Sequence, residues 1–253
     1  MTAGDHRPAP GADSAAMLAL WERGAGEGGV GRALALLSAA KCGSAEELAA
    51  LPIGRRDASL LDFHDRLFGS RIECISACAA CGTAMEVVFD SADLRTVSAP
   101  GPVTMTAEAL GFSVSARLPD SRDLAAIEGM ADPDAAWESL VRRCVLEARR
   151  GGETVSAAAL PRAALEAVDA AAAEADPQAD LVIGLACPDC GAEAAVPFDI
   201  GQQAWTRLDH WARRMLRAVD TIAGRYGWSE AEILALGPGR RQIYLDLIGG
   251  VAS

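Results

Sequence analysis

Residues 78–90 and 187–199 constrain this chain more than any other stretch, because they carry one pattern twice. The first reads Cys78-Ala-Ala-Cys81-Gly82 and runs through an apolar strand to Phe89-Asp90. The second reads Cys187-Pro-Asp-Cys190-Gly191 and runs in the same way to Phe198-Asp199. Every shared residue is displaced by the same interval. Two cysteines separated by two residues can turn both sulfurs toward one ion, and the following glycine allows the sharp backbone turn. Two such pairs complete a four-cysteine set, expected to be Cys78, Cys81, Cys187 and Cys190, with structural Zn2+ as the cofactor. The bland alternative is two unrelated cysteine pairs, and spacing does not separate zinc from iron. Four thiolates leave no open position for water, so such a zinc is structural and not catalytic. Closing the long loop between the pairs costs only about 4 kcal/mol. A four-thiolate zinc contributes on the order of 10–16 kcal/mol in small peptides. The metal can therefore clamp distant knuckles.

Composition narrows the class. The 253 residues are 51% hydrophobic and 23% charged, which fits a globular chain with a substantial core. A net charge of −12 argues against a surface that tracks nucleic acid, although a local basic patch remains compatible with it. The cysteine count is seven. No basic start with an apolar run opens the sequence, and no uncharged apolar stretch approaches membrane-spanning length. The expected location is a reducing cytoplasm, and there C-x-x-C pairs serve metals more often than disulfides.

Along the chain, residues 1–16 are rich in Pro, Gly and Ala and read as a disordered tail. Residues 17–70 read as a helical arm. The run Gly24 to Gly31 has no Gly-Lys-Ser/Thr ending, so it is not a phosphate loop. Ser44-Ala-Glu-Glu47 is a capping box ahead of Leu48, Leu51 and a Pro52-Ile-Gly54 break, after which Arg55-Arg56 opens the next helix. Residues 102–118 alternate apolar and polar side chains and read as a hairpin turning near Gly111. Asp132-Pro133 starts a helix whose stripe runs through Trp137, Leu140, Val141, Cys144 and Ala148 to an Arg149-Arg150-Gly151 stop. Pro161 to Ala173 is a further alanine-rich helix, and 181–186 is a strand into the second knuckle. The longest helix runs from Gln202 to Arg225, with Arg207, Arg213, Arg217 and Arg225 read as its polar face.

The carboxy terminus repeats the design of the arm. Ser229-Glu-Ala-Glu232 is again a capping box, followed by Ile233, Leu236, a Gly-Pro-Gly break and Arg240-Arg241. Ser44/Ser229, Leu51/Leu236, Gly54/Gly239 and Arg56/Arg241 all keep one interval. Convergent helix-turn-helix grammar and duplicated docking motifs both fit.

Other constellations carry little chemistry. Cys74, Cys78 and Cys81 form C-x3-C-x2-C, the spacing of radical SAM clusters. That reading needs a β/α barrel and leaves Cys187 and Cys190 unexplained. Cys74 is expected near the site as a strand residue, and Cys42 and Cys144 as packed or helix-end thiols. His6, His64 and His210 are scattered and read as surface or packing residues. No Ser-His-Asp arrangement, H-E-x-x-H or dinucleotide fingerprint is present.

Several stretches carry a family likeness: Leu51-Pro-Ile-Gly-Arg-Arg56, Arg66-Leu-Phe-Gly69, Arg117-Leu-Pro-Asp-Ser-Arg-Asp-Leu124, and the second knuckle with Phe198-Asp-Ile200. Tyr226-Gly-Trp-Ser-Glu-Ala-Glu-Ile-Leu-Ala-Leu236 with Arg240-Arg241-Gln-Ile-Tyr-Leu245 is the most specific. Over about residues 17–248 the sequence resembles a baseplate protein family of T-even-type contractile phages and phage-tail-like contractile injection systems. Gly237-Pro-Gly239 departs from the expected, less glycine-rich turn. The resemblance implies a hub or hub-assembly component that is not an enzyme, whose partners are other baseplate subunits and whose place is the cytoplasm or the assembled tail-like particle.

The resulting expectation is an α+β protein with a split zinc-ribbon core at 71–118 and 181–200, a helical insertion at 119–180 and carboxy-terminal helices at 201–253. Ile233, Leu236, Arg240, Arg241, Tyr244 and Leu245 are expected to bind a partner subunit or, alternatively, to pack back and cap the fold. No membrane, nucleic acid or small-molecule substrate is expected. The alternative function is a nucleic-acid-binding zinc-ribbon adaptor using the arginines of the long helix.

Overall fold

Four helices open the chain as one layer, and most of their ends have a local cause. In this computed structural model, which describes residues 13–96 and 103–250, α1 spans Ser14–Ala25, α2 Gly29–Ala40, α3 Ala45–Ala49 and α4 Ile53–Phe68. Residues 1–12 of the expected tail lie outside the described residues. Ser14, Ala15 and Ala16 already belong to α1, whose Ala15 amide donates to the Asp13 carboxylate at 3.0 Å. The Ser44–Glu47 capping box forms both of its bonds. The glycine run between α1 and α2 is a packing device: a Cβ on Gly24 would enter the Trp205 ring, and one on Gly28 would meet the Glu128 carboxylate.

After α4 come β1 (Arg71–Ala77) and β2 (Ala84–Asp90), an antiparallel pair that forms its own two-stranded sheet. Next, β3 (Thr104–Ala109) and β4 (Phe112–Arg117) turn over Leu110 and Gly111, both at positive φ (52° and 78°). Such a two-residue turn follows the natural twist of the strands. Then follow α5 (Ser121–Ile127), α6 (Pro133–Cys144), β5 (Val145–Arg150), β6 (Glu153–Val155) and α7 (Arg162–Ala175).

Two expectations change in this region. The hairpin grouped with the ribbon belongs instead to a four-stranded sheet ordered β3-β4-β5-β6. Val114, Ala116, Val141, Ala148, Leu165 and Val168 form its core with α6 and α7. The stripe from Trp137 to Ala148 is also not one helix. It ends at Cys144, and 145–150 is extended, with Ala148 opposite Val114. The apolar spacing of 141, 144 and 148 suits a helix, yet Ala148 is equally buried in a strand. The open edge of β4 decides between them.

The chain then returns through β7 (Val182–Ala186) and β8 (Glu193–Pro197), a second two-stranded sheet, into α8 (Ile200–Tyr226), α9 (Glu230–Leu234) and α10 (Pro238–Ile248). The buried face of α8, including Ile200, Leu208 and Ala212, joins Leu36, Leu37, Leu60, Leu61 and Ile72 in the main core. Arg207 is a correction: it is buried between α8 and the arm, not part of a polar face. Its position, one residue before Leu208 and four before Trp211, places it on the inward side. One guanidinium nitrogen donates to the Arg71 carbonyl at 3.2 Å, while Nε has no partner. Nearby His64 is fully buried and neither ring nitrogen forms a hydrogen bond. Burial, and then the Arg207 charge, hold His64 below the ordinary histidine range, against the pull of the Asp65 carboxylate 3.5 Å from Nδ1.

An ion-pair hub built on the Arg117–Asp123 segment fastens the insertion. Arg117 grips Asp123 with two nitrogens, at 2.5 and 2.8 Å, and Arg143 Nε adds a third bond at 3.1 Å. The Asp120 amide donates to Asp123 at 3.1 Å, and Asp120 caps α5. From the same segment the Pro119 carbonyl accepts from the Ile53 amide at 3.1 Å, which ties the hub to the start of α4.

Candidate metal centre and carboxy-terminal surface

Each knuckle is a hairpin tip with the same backbone bonds. The Cys78 amide donates to the Thr83 carbonyl at 2.9 Å, and the Gly82 amide donates to the Cys78 carbonyl at 2.8 Å. In the second tip, Cys187 and Ala192 are joined at 2.9 Å, and Gly191 and Cys187 at 2.9 Å. Gly82 and Gly191 both adopt positive φ (77° and 71°), a region that favours glycine. The two hairpins meet tip to tip. Phe89 and Phe198 pack edge to face at 5.5 Å, and Thr83 Oγ1 donates to Asp189 at 2.7 Å across the junction.

The four expected sulfurs are brought together. Cys78 Sγ lies 3.7 Å from Cys190 Sγ, and Cys81 Sγ lies 3.6 Å from Cys187 Sγ, with all four within 4.8 Å of one another. A tetrahedron with 2.3 Å zinc–sulfur bonds has edges of about 3.8 Å, whereas a disulfide needs about 2.05 Å. The donor set therefore fits one tetrahedral ion and could hold a metal. Cys78 and Cys187 are buried with Met85 between the hairpins, while Cys81 and Cys190 face outward. Cys81 is held down to about 6 by hydrogen bonding to the Thr83 side chain and then its backbone. Cys190 has a lowering bond at Ala192, yet the Cys81 and Cys187 sulfurs push it up to about 12. Crowded sulfurs resist joint ionisation unless a cation joins them.

The remaining cysteines lie apart. Cys74 faces Val87 within the β1–β2 pair, outside the cluster, and burial raises its thiol. Burial and then the Asp123 charge push Cys144 up to about 11. The Thr83–Asp189 bridge was not legible in the sequence; only the placement of Asp189 inside the second knuckle hinted at it.

At the carboxy terminus the six expected partner-binding residues divide. Ile233 is fully buried against Val219 and Ile222. Arg241 is buried too, donating to the carbonyls of Ile233, Leu234 and Leu236 at 3.4, 3.3 and 2.7 Å. Those carbonyls close α9 and the turn after it, so Arg241 works as an internal cap. Leu236, Tyr244 and Leu245 are half-buried, and Arg240 is exposed, 5.9 Å above the Tyr244 ring. Ile243 and Leu247, apolar positions of the expected helix that lie outside the six expected partner-binding residues, are the most exposed apolar residues of α10, at 60% and 63%.

Two hairpins clamped at one sulfur cluster, backed by a helical layer and parted by an inserted sheet with its own core, define a mixed α+β scaffold protein. The chain belongs to the T4 bacteriophage base plate protein family, whose family model matches residues 36–202. That span holds both knuckles and the whole insertion. Membership makes the chain a structural component of a phage baseplate, assembling with other baseplate proteins, and points to a non-enzymatic role. No curated protein and no solved structure matches the chain. Among the described residues, no helix is long and apolar enough to cross a membrane.

Proposed function

We propose that the protein is a zinc-stabilised scaffold subunit of a contractile-tail baseplate, holding one structural Zn2+ through Cys78, Cys81, Cys187 and Cys190. The four-sulfur geometry carries this reading. The ion would supply no chemistry to a substrate, since four thiolates saturate it. Its work is mechanical: it joins the tips of two hairpins whose far ends lead out of α4 and into α8. The β1–β2 and β7–β8 pairs would form the split ribbon, residues 17–70 the helical arm, and 201–253 the carboxy-terminal helices. The insertion, extended to include β3 and β4, is a scaffold element and not a catalytic domain. The outward side of α9–α10 docks another baseplate subunit, with Leu236, Arg240, Tyr244 and Leu245 near the contact.

Elemental analysis of the purified chain should give close to one zinc per protein. Cys187→Ser should lose it, and Cys144→Ser should keep it. Full zinc in the Cys187 variant overturns the metal assignment. Removal of residues 229–253 should leave zinc in place and abolish incorporation into the particle; a stable truncated chain that still incorporates overturns the docking role.

A further inference from the structure

The arm and the carboxy terminus hold one structural unit twice, and one copy lacks a part that the other has. In both, a serine capping box (Ser44 with Glu47, Ser229 with Glu232) starts a five-residue helix. A turn follows in which Leu51 bonds back to Leu48 at 3.4 Å, and Leu236 to Ile233 at 3.1 Å. The next helix begins with Arg56 bonding to Pro52 at 3.0 Å, or Arg241 to Gly237 at 3.0 Å, and both arginines are buried. The likeness is thus geometric as well as sequential.

The copies differ at the amino end of the second helix. In the arm, Asp176 from the insertion sits on α4, and the Gly54 amide donates to its carboxylate at 2.9 Å. A Cβ on Gly54 would collide with that carboxylate as it now stands, so glycine lets Asp176 approach this closely. The same device starts α2, where the Val30 amide donates to Glu128 at 3.3 Å and a Cβ on Gly28 would strike the Glu128 carboxylate. Helix α10 begins at Pro238 with glycines at 237 and 239 on either side. Among the described residues, nothing lies within 4 Å of a Cβ built on Gly239, where the Asp176 carboxylate stands over Gly54. This end carries the positive pole of the helix, with the exposed guanidinium of Arg240 beside it. From Arg240 the stripe at i+3 and i+7 is Ile243 and Leu247, both open to solvent.

We infer that α10 binds an acidic-then-apolar segment of a different baseplate subunit, with an aspartate or glutamate side chain on the Gly239 amide and Arg240, and apolar residues along Ile243 and Leu247. Charge complementarity selects the carboxylate, and the chain's own Asp176 segment on α4 is the internal precedent. An ionised acceptor on a backbone amide and a planar guanidinium forms the stronger class of hydrogen bond. The inference rests on the docking role proposed above and adds the chemistry of the occupant.

The test uses the full chain in cells that assemble the particle. Gly239→Ala adds a methyl group into open space, so the melting temperature should not fall. By the Gly54 precedent it should obstruct the carboxylate and cut incorporation about tenfold, equivalent to one lost charge-assisted contact. The chain has a single lysine, Lys41, so Arg240→Lys creates a second lysine whose cross-links are mapped apart from those of Lys41 and the amino terminus. Zero-length carbodiimide treatment of assembled particles should join position 240 to an aspartate or glutamate of another subunit. A cross-link to a second copy of this chain, or no cross-link at all, overturns the inference. So does normal incorporation of Gly239→Ala while removal of 229–253 abolishes it; docking then stands and the acidic occupant falls. Incorporation of the truncated chain removes both.

Discussion

The molecule's two larger cores are assembled in opposite ways. The core of the insertion draws on one continuous stretch, from Ala107 to Val168, joined by short turns. The main core draws on two stretches, Met17 to Leu94 and Leu181 to Met215, separated by that whole insertion. The first is closed by local connections, the second only when distant hairpins meet. The sulfur cluster lies where they meet. A cross-link is most useful where the chain must close its longest loop, because that is where the unfolded state has most freedom. The insertion instead relies on apolar packing and the Arg117–Asp123 hub.

Removing the proposed zinc should separate the two cores most clearly. In small domains a four-thiolate zinc contributes about 10 kcal/mol or more to folding. Chelation should therefore strip hydrogen-exchange protection from β1, β2, β7 and β8 while Val114, Ala116 and Leu165 remain protected. Simultaneous loss across both cores would mean one cooperative unit and break the comparison. Asp123→Ala comes next, at about 3 kcal/mol, because it removes the fully buried carboxylate on which three arginine hydrogen bonds and the Asp120 amide converge. It should destabilise the insertion without lowering zinc content, and denaturant unfolding can measure this.

The same carboxylate sets an acid limit. Burial pushes Asp123 up, but Arg117 and the Asp120 amide outweigh it and hold the group below the ordinary aspartate range. Its contribution is thus fully present above the unfolded value of about 3.9 and is lost as pH falls through the lower folded value. Asp123→Ala should flatten that limb of the stability–pH curve. An unchanged limb would assign it to other carboxylates.

Leu165→Ala, in the fully buried centre of the insertion, should cost about 2–5 kcal/mol and leave the metal bound. The smallest contrast lies between the two capping serines, each worth about 1 kcal/mol when replaced by alanine. Ser44→Ala should lower global stability, since Leu48 of α3 belongs to the main core. Ser229→Ala should loosen only α9 and α10 in hydrogen exchange, since Ile233 belongs to a small peripheral cluster. Equal global losses would show that the carboxy-terminal pair is integral to the core.

Much of the site was legible because its signals are short-range. The C-x-x-C-G spacing fixes each knuckle through bonds spanning five residues, and the capping boxes span three. The inward faces of the docking element were harder to read. Arg241 has the composition of a surface residue, and only the position of the α9 carbonyls turns it inward. Likewise, the strand at 145–150 follows a helix without a break in hydrophobicity, so its state depends on a partner edge far along the chain.

The sequence by itself determined the two knuckles, the capped helix starts, the hairpin turn at Leu110-Gly111 and the long amphipathic α8, because each is decided by neighbours a few residues away. Tertiary structure alone decided that β3 and β4 join the insertion, that Arg207 and Arg241 lie inside, and that Asp176 and Glu128 finish the helices α4 and α2. Those choices depend on which unsatisfied backbone group or open strand edge comes within hydrogen-bonding reach, and a linear pattern does not encode that distance.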